Sequence, residues 1–116
     1  MKPVRVKRVY DIPSPDDGVR VLVDRLWPRG LKRETAKLDL WLKDVAPSDG
    51  LRRWFGHDPS RWAQFQRRYR AEIAKNTEPV AVLRGLVKGG KPLTLLYAAK
   101  DMERNNAIVL RDFLLP

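Results

Sequence analysis

Charged, amide and aromatic side chains follow the predicted strands of this sequence, and their types could carry chemistry. The candidates after three strands are, in chain order, Asp24, Arg25, Trp27, Arg29, Lys43, Asp44, Ser48, Lys100, Asp101, Asn105 and Asn106. Parallel strands end at one edge of an open α/β sheet, where loops project side chains from a rigid base. We therefore expect these residues to surround a common pocket.

The residue types at these positions suggest an anion site with acidic groups beside it. Arg25, Arg29 and Lys100 could hold a phosphate or a carboxylate, helped by backbone N–H groups at the start of the last helix. Asp24 and Asp101 could act as a catalytic acid and base, or could bind Mg²⁺ beside a phosphate.

The remaining candidates would contact the ligand around this centre. They are Trp27, Lys43, Ser48, Asn105 and Asn106, with Trp27 suited to stacking on a planar ring. A structural alternative accounts for the same residues. In that alternative, Asp24 and Arg25 form an internal ion pair, while Asp101 and the two asparagines cap and pack the last helix.

Hydrophobic periodicity predicts the elements that must position these residues. Apolar runs predict strands over residues 4–10, 19–23, 38–45 and 93–97, and residues 32–37 form a short helix or an ordered loop. Helices are predicted over 51–55 with Asp49 as the cap, over 59–75, over 77–88 and over 102–115. This order predicts an α/β fold, a small single-domain sandwich over residues 1–116 with a mainly parallel central sheet flanked by helices.

The composition excludes several classes of protein. The chain of 116 residues is 43% hydrophobic and 33% charged, which favours one folded domain over a disordered chain. It has no Cys and a single His, His57, so cysteine and multi-histidine metal sites and a thiol nucleophile are excluded. No apolar stretch approaches the ~20 residues that cross a bilayer. We expect a soluble cytoplasmic monomer or homodimer without a membrane partner.

The only histidine allows two interpretations. His57 could act as a base near neutral pH beside Asp58. The structural interpretation explains the segment locally, because Gly56 can end one helix while Asp58 and Pro59 begin the next.

A positive charge of +10 predicts attraction to polyanions and supports an alternative function. The predicted 59–75 helix carries Arg61, Arg67, Arg68 and Lys75, which could bind the phosphate backbone of a nucleic acid. A basic helix face is also common on solvated surfaces, and the sequence contains no recognisable nucleic-acid-binding motif.

Several blocks of sequence resemble a known family. These blocks are VDRLWPRGLK at 23–32, WLKDVAPS at 41–48, RWFGHDP at 53–59 and LLYAAKD at 95–101, followed by Asn105 and Asn106. Over nearly the whole chain they resemble the YeaO-like branch of the domain of unknown function 488 (DUF 488) family. The resemblance implies a compact bacterial α/β domain. Longer relatives of the wider group carry cysteines after the last strand, and their chemistry cannot apply to this cysteine-free chain.

The preferred functional hypothesis is a pocket for a phosphorylated or carboxylated small molecule, as in a hydrolase or a transferase. The sequence contains no evident nucleophile–base pair, so it assigns no reaction. The alternative is a nucleic-acid-associated binding module that uses the basic 59–75 helix.

Overall fold

The structure is a computed structural model that describes residues 4–115. Strands β1 to β4 are Val4–Arg8, Val19–Leu22, Leu40–Trp41 and Leu93–Tyr97. Helices α1 to α5 are Arg33–Ala36, Asp49–Phe55, Trp62–Lys75, Thr77–Lys88 and Asn106–Leu114. Short 3₁₀ turns lie at Pro15–Asp17, Lys43–Val45 and Pro59–Arg61.

The four strands form one sheet in the order β1-β4-β2-β3, and every pairing is parallel. The two central strands, β4 and β2, therefore end side by side at the same edge of the sheet. This arrangement confirms the predicted small α/β fold with a parallel sheet.

The two faces of the sheet are covered differently. Val21 and Leu95 face the main core, to which the four longer helices α2 to α5 all contribute buried side chains. Leu22 and Leu96 face the opposite way, toward a smaller cluster that includes Trp27. The alternation of side chains along β2 and β4 produces this division.

Helix α3 is held in the main core by one stripe of buried residues, Phe65, Tyr69 and Ile73. The Phe65 ring stacks on Phe55 of α2 at a centroid distance of 4.3 Å. The Tyr69 hydroxyl donates a 2.6 Å hydrogen bond to the carbonyl oxygen of Val45. Helix α3 thereby fixes both α2 and the chain that leaves β3.

The third strand is shorter than the predicted range of residues 38–45. Only Leu40–Trp41 pairs with β2, because the backbone turns into the 3₁₀ segment Lys43–Val45. The N–H of Val45 donates to the Leu42 carbonyl instead of to a neighbouring strand.

Three predicted helix starts are also displaced. Helix α3 begins at Trp62 instead of residue 59, because Pro59–Arg61 form a 3₁₀ turn. Ser48, not Asp49, caps α2, since its hydroxyl accepts the N–H of Leu51 at 3.2 Å. Helix α5 begins at Asn106 instead of residue 102, because the preceding residues form a turn around the Asp101 side chain. Within residues 4–115, no helix is long and apolar enough to span a membrane.

Candidate functional site

A pocket of about 710 Å³ opens where β2 and β4 end. Its polar lining consists of Asp24, Arg25, Arg52, Arg53, His57, Lys100, Asp101, Asn105 and Asn106. Its apolar lining includes Leu26, Phe55, Phe65 and Ala98. The structure thus brings together six predicted site residues: Asp24, Arg25, Lys100, Asp101, Asn105 and Asn106.

The Asp24 carboxylate joins the end of β2 to the neighbouring elements. Its Oδ2 accepts the backbone N–H of Ala98 at 2.9 Å, and its Oδ1 accepts the Asn106 side-chain amide at 3.1 Å. The same amide also donates to the Val23 carbonyl at 3.0 Å. Burial raises the pKa of Asp24, although these two hydrogen bonds and the charge of His57 oppose the increase.

The ion pair between Asp24 and Arg25 that the structural alternative predicted is absent among the described residues, so this part of the alternative is wrong. The Arg25 guanidinium donates to the carbonyl oxygens of Ala46 and Pro47, each at 3.2 Å. It also lies 4.0 Å from the Asp49 carboxylate. Carbonyl oxygens from the loop after β3 take the hydrogen bonds that would otherwise go to Asp24.

Asp101 shapes the loop that leads from β4 into α5. Its Oδ1 accepts the N–H groups of Glu103 and Arg104 at 2.9 and 3.0 Å, and its Oδ2 pairs with the Arg104 guanidinium at 3.2 Å. These interactions lower the pKa of Asp101, with the Glu103 N–H the strongest contributor. Its predicted acid–base role stays a prediction, and the structure shows a loop-forming role.

Asn105 caps helix α5 and also lines the pocket. Its Oδ1 accepts the N–H of Ile108 at 3.0 Å, and its Nδ2 donates to the Asp101 carbonyl at 3.0 Å. The residue is 2% exposed, so its amide serves the fold. Neighbouring Asn106 is the amide that reaches Asp24.

Four predicted ligand contacts lie outside this pocket. Trp27 belongs to the opposite face of the sheet, where its Nε1 donates to the Leu31 carbonyl at 2.9 Å. Arg29 is exposed, and its carbonyl oxygen accepts the Tyr10 hydroxyl at 2.8 Å. Both residues follow β2 by several positions, so the chain has already turned away from the sheet edge.

The other two predicted contacts follow β3. The Lys43 ammonium lies over the Trp41 ring at 5.4 Å from its centroid. The Ser48 hydroxyl donates to Glu72 at 2.6 Å and lines a second, shallower groove of about 560 Å³. Ala46 and Pro47 line the strand-end pocket, whereas the Ser48 side chain turns to Glu72 and to the start of α2.

The structure adds residues that the sequence interpretation left out or treated as structural. Arg52 and Arg53 reach the pocket from α2, and His57 reaches it from the turn after that helix. His57 has a left-handed backbone with φ of 58°, directly after Gly56 at 52°. In the sequence, only their position at the end of a predicted helix, close to the single histidine, indicated that Arg52 and Arg53 could reach the pocket.

The basic face predicted over residues 59–75, which spans the Pro59–Arg61 turn and α3, partly contacts other residues of the protein. The guanidinium groups of Arg61 and Arg68 lie 5.3 and 4.5 Å from the centroid of the Trp54 ring. Arg61 also lies 3.7 Å from the Asp58 carboxylate. Arg67 and Lys75 are exposed and complete the predicted nucleic-acid face.

The part of the chain that the structure describes contains no group of three or more His, Asp or Glu side chains arranged to hold a metal. The pocket lining combines cationic side chains, the carboxylates of Asp24 and Asp101, two asparagine amides and apolar walls.

Comparison with known proteins identifies the family. The chain is 44% identical to the uncharacterized protein YeaO of Escherichia coli over 96% of both chains. It is 43% identical to the uncharacterized protein Rv3073c of Mycobacterium tuberculosis over 96% of this chain and 92% of the relative. No solved structure matches. The family profile described as the inactive DUF488-N3 subclade matches residues 3–116, and the chain therefore belongs to this subclade.

Proposed function

We propose that the strand-end pocket binds a small phosphorylated or carboxylated molecule without converting it. The supporting observation is that Arg25, Arg52, Arg53 and Lys100 line one concave, largely apolar cavity. Charge-assisted hydrogen bonds from such groups are the usual means of holding phosphate and carboxylate. A cavity of this size also suits a small molecule.

Binding without conversion is favoured by the lining of the pocket. Among the described residues, no hydroxyl or thiol side chain lines it. The Asp101 carboxylate is held by hydrogen bonds within its own turn. The description of the family as an inactive subclade agrees with a binding role.

The test is a thermal-shift screen followed by calorimetry. Nucleotides, sugar phosphates, dicarboxylates and a short oligonucleotide are each added with and without Mg²⁺. A ligand at 100 times its dissociation constant should stabilise the native state by ~2.7 kcal/mol. The double substitution of Arg53→Gln and Lys100→Gln should weaken small-anion binding at least ~10-fold, because two charged contacts are lost.

Arg67→Gln is the matched control, since Arg67 is exposed on α3 and does not line the pocket. A panel in which no small anion binds, or a double variant that binds as tightly as wild type, would refute the proposal. Stabilisation by the oligonucleotide alone, removed by Arg67→Gln, would favour the nucleic-acid function. Chemical change of the bound molecule, followed by NMR, would show that the protein is an enzyme.

A further inference from the structure

Asp24 is a half-buried carboxylate that has no cationic partner among the described residues. Among residues 4–115, no Lys, Arg or His nitrogen lies within 4.0 Å of its oxygens, although the chain has a net charge of +10. Asp17, the buried aspartate before β2, has both Lys7 at 3.2 Å and Arg20 at 2.5 Å. Carboxylates removed from water are normally paired with a cation. Within the described residues, Asp24 therefore lacks the kind of cationic partner that Asp17 has.

Asp24 also retains capacity to accept hydrogen bonds. A carboxylate offers about four acceptor positions, and the N–H of Ala98 and the amide of Asn106 use two of them. The residue lines the pocket, so a ligand can reach the remaining positions. A hydrogen-bond donor of the ligand could occupy these positions. A cationic donor would also place a positive charge beside the Asp24 carboxylate.

The cations of the pocket are directed to other partners or lie further out. Arg25 donates to the carbonyl oxygens of Ala46 and Pro47. The Arg52 side chain is 41% exposed and lies 3.5 Å from Asp49. Arg53, His57 and Lys100 are exposed, and among the described residues His57 forms no ion pair with Asp24. The cations thus form an outer rim, whereas the Asp24 carboxylate lies deeper.

Apolar groups form part of the pocket lining beside these charged residues. Phe55 and Phe65 are buried and line the pocket together with Ala98, which directly follows β4. A wall of this kind accommodates the carbon skeleton of a ligand and not a third charged group.

We infer that the ligand carries a protonated amine, bound by Asp24, in addition to the anionic group bound by the rim cations. The ligand class is therefore an amino-bearing phosphate or carboxylate. This inference rests on the proposed function, because the rim must first bind the anion. Burial raises the pKa of Asp24, and an amine bound there should lower it.

The experiment compares pairs of ligands that differ only by an amine in place of a hydroxyl. The pairs are phosphoserine with phosphoglycerate, glucosamine phosphate with glucose phosphate, and ethanolamine phosphate with ethylene glycol phosphate. In at least one pair, calorimetry should show ~10-fold tighter binding of the amine, since charged hydrogen bonds are worth more than neutral ones. The Asp24→Asn variant should reduce this ratio to less than ~2-fold and still bind the hydroxyl compound.

Asp44→Asn is the control, because Asp44 is an exposed carboxylate outside the pocket. If Asp24→Asn does not fold, a measurement on the wild-type protein tests the same inference. The pKa of Asp24, followed by NMR, should fall when the amine compound binds. Equal binding within every pair, or an amine preference that survives Asp24→Asn, would overturn the inference and leave the anion site standing. If no compound of either kind binds, the proposed function fails as well.

Discussion

Asp17 and Asp24 flank β2, and the fold treats their carboxyl groups in opposite ways. Burial acts to raise the pKa of Asp17, but the Ser14 N–H and the side chains of Lys7 and Arg20 overcome it and hold the pKa below 3.8. Burial dominates at Asp24 and raises its pKa. The first carboxylate stabilises the fold, and the second is available to a ligand.

Replacing Asp17 with Asn should destabilise the protein strongly at neutral pH and less in acid. A carboxyl group whose folded pKa is lowered contributes stability that is present above its unfolded pKa and is lost as the pH falls through the folded pKa. Breaking this pair leaves Arg20 buried without its anion, so we expect a loss of ~3 kcal/mol at neutral pH. Urea unfolding at a series of pH values from neutral to acid measures the difference.

Asp16→Asn is the control for this series, because the neighbouring Asp16 is exposed. It should change the stability little at any pH. A destabilisation by Asp17→Asn that stays constant into acid would contradict the assigned ion pair.

Gly18→Ala should destabilise the protein by at least ~2 kcal/mol. Gly18 has φ of 63°, and a Cβ atom there would lie 2.1 Å from the Pro92 carbonyl oxygen. That oxygen accepts the N–H of Val19, so it cannot move without disturbing the sheet. Gly50→Ala in α2 has open space around it and should be neutral or stabilising. Similar denaturation midpoints for the two variants would show that the approach to Pro92 is unimportant.

Among the elements, the start of α5 links stability to the pocket. Asn105 caps the helix, and the next residue, Asn106, contacts Asp24. The turn around Asp101 sets where the helix begins. A shift of this helix start would therefore also move the amide that holds Asp24.

Asn105→Ala should lower the free energy of unfolding by ~1–2 kcal/mol, because the Ile108 N–H loses its cap acceptor. Chemical denaturation gives this difference. Glu103→Ala, at an exposed position of the preceding turn, should cost much less. Equal effects of the two substitutions would argue against capping by Asn105.

The basic helix α3 allows a second prediction at this scale. Arg68→Ala should destabilise the fold by ~0.5–1 kcal/mol, since its guanidinium stacks 4.5 Å from the centroid of the Trp54 ring. Arg67→Ala, one residue earlier and exposed, should have little effect in the same denaturation experiment. If both variants match wild type, the Trp54 contact contributes no stability.

At the scale of the whole molecule, the net positive charge and the cations of the pocket are separate features. The surplus of 24 Lys and Arg over 14 Asp and Glu favours contact with any polyanion. The pocket, by contrast, concentrates a few cations at one edge of the sheet. The two properties should respond to different substitutions.

Replacing Arg67 and Lys75 with Gln should weaken binding to a short oligonucleotide and make it less sensitive to salt. Each lost phosphate contact lowers the slope of log affinity against log salt by ~0.9 for duplex DNA. Fluorescence anisotropy at several salt concentrations measures this slope. Binding of a small anion in the pocket should not change. An unchanged oligonucleotide affinity would show that this face does not contact the nucleic acid.

The sequence alone determined the number and order of the main elements. Apolar runs located β1, β2 and β4, and the i, i+4 spacing of Phe65, Tyr69 and Ile73 located α3. These features were predictable because they depend on local periodicity. The same reasoning located six residues of the pocket, since β2 and β4 are parallel neighbours and end together.

Only the tertiary structure decided which polar residues share the pocket. Trp27 and Ser48 follow strands as closely as some pocket residues do, yet loop direction takes them elsewhere. Arg52 and Arg53 line the pocket because α2 packs on α3. This packing is a contact between Phe55 and Phe65, which are ten positions apart in sequence. Within residues 4–115, no cation pairs with Asp24, because the guanidinium of the adjacent Arg25 donates to the carbonyl oxygens of Ala46 and Pro47. Local patterns encode the elements, whereas long-range packing chooses the partners of each charged group.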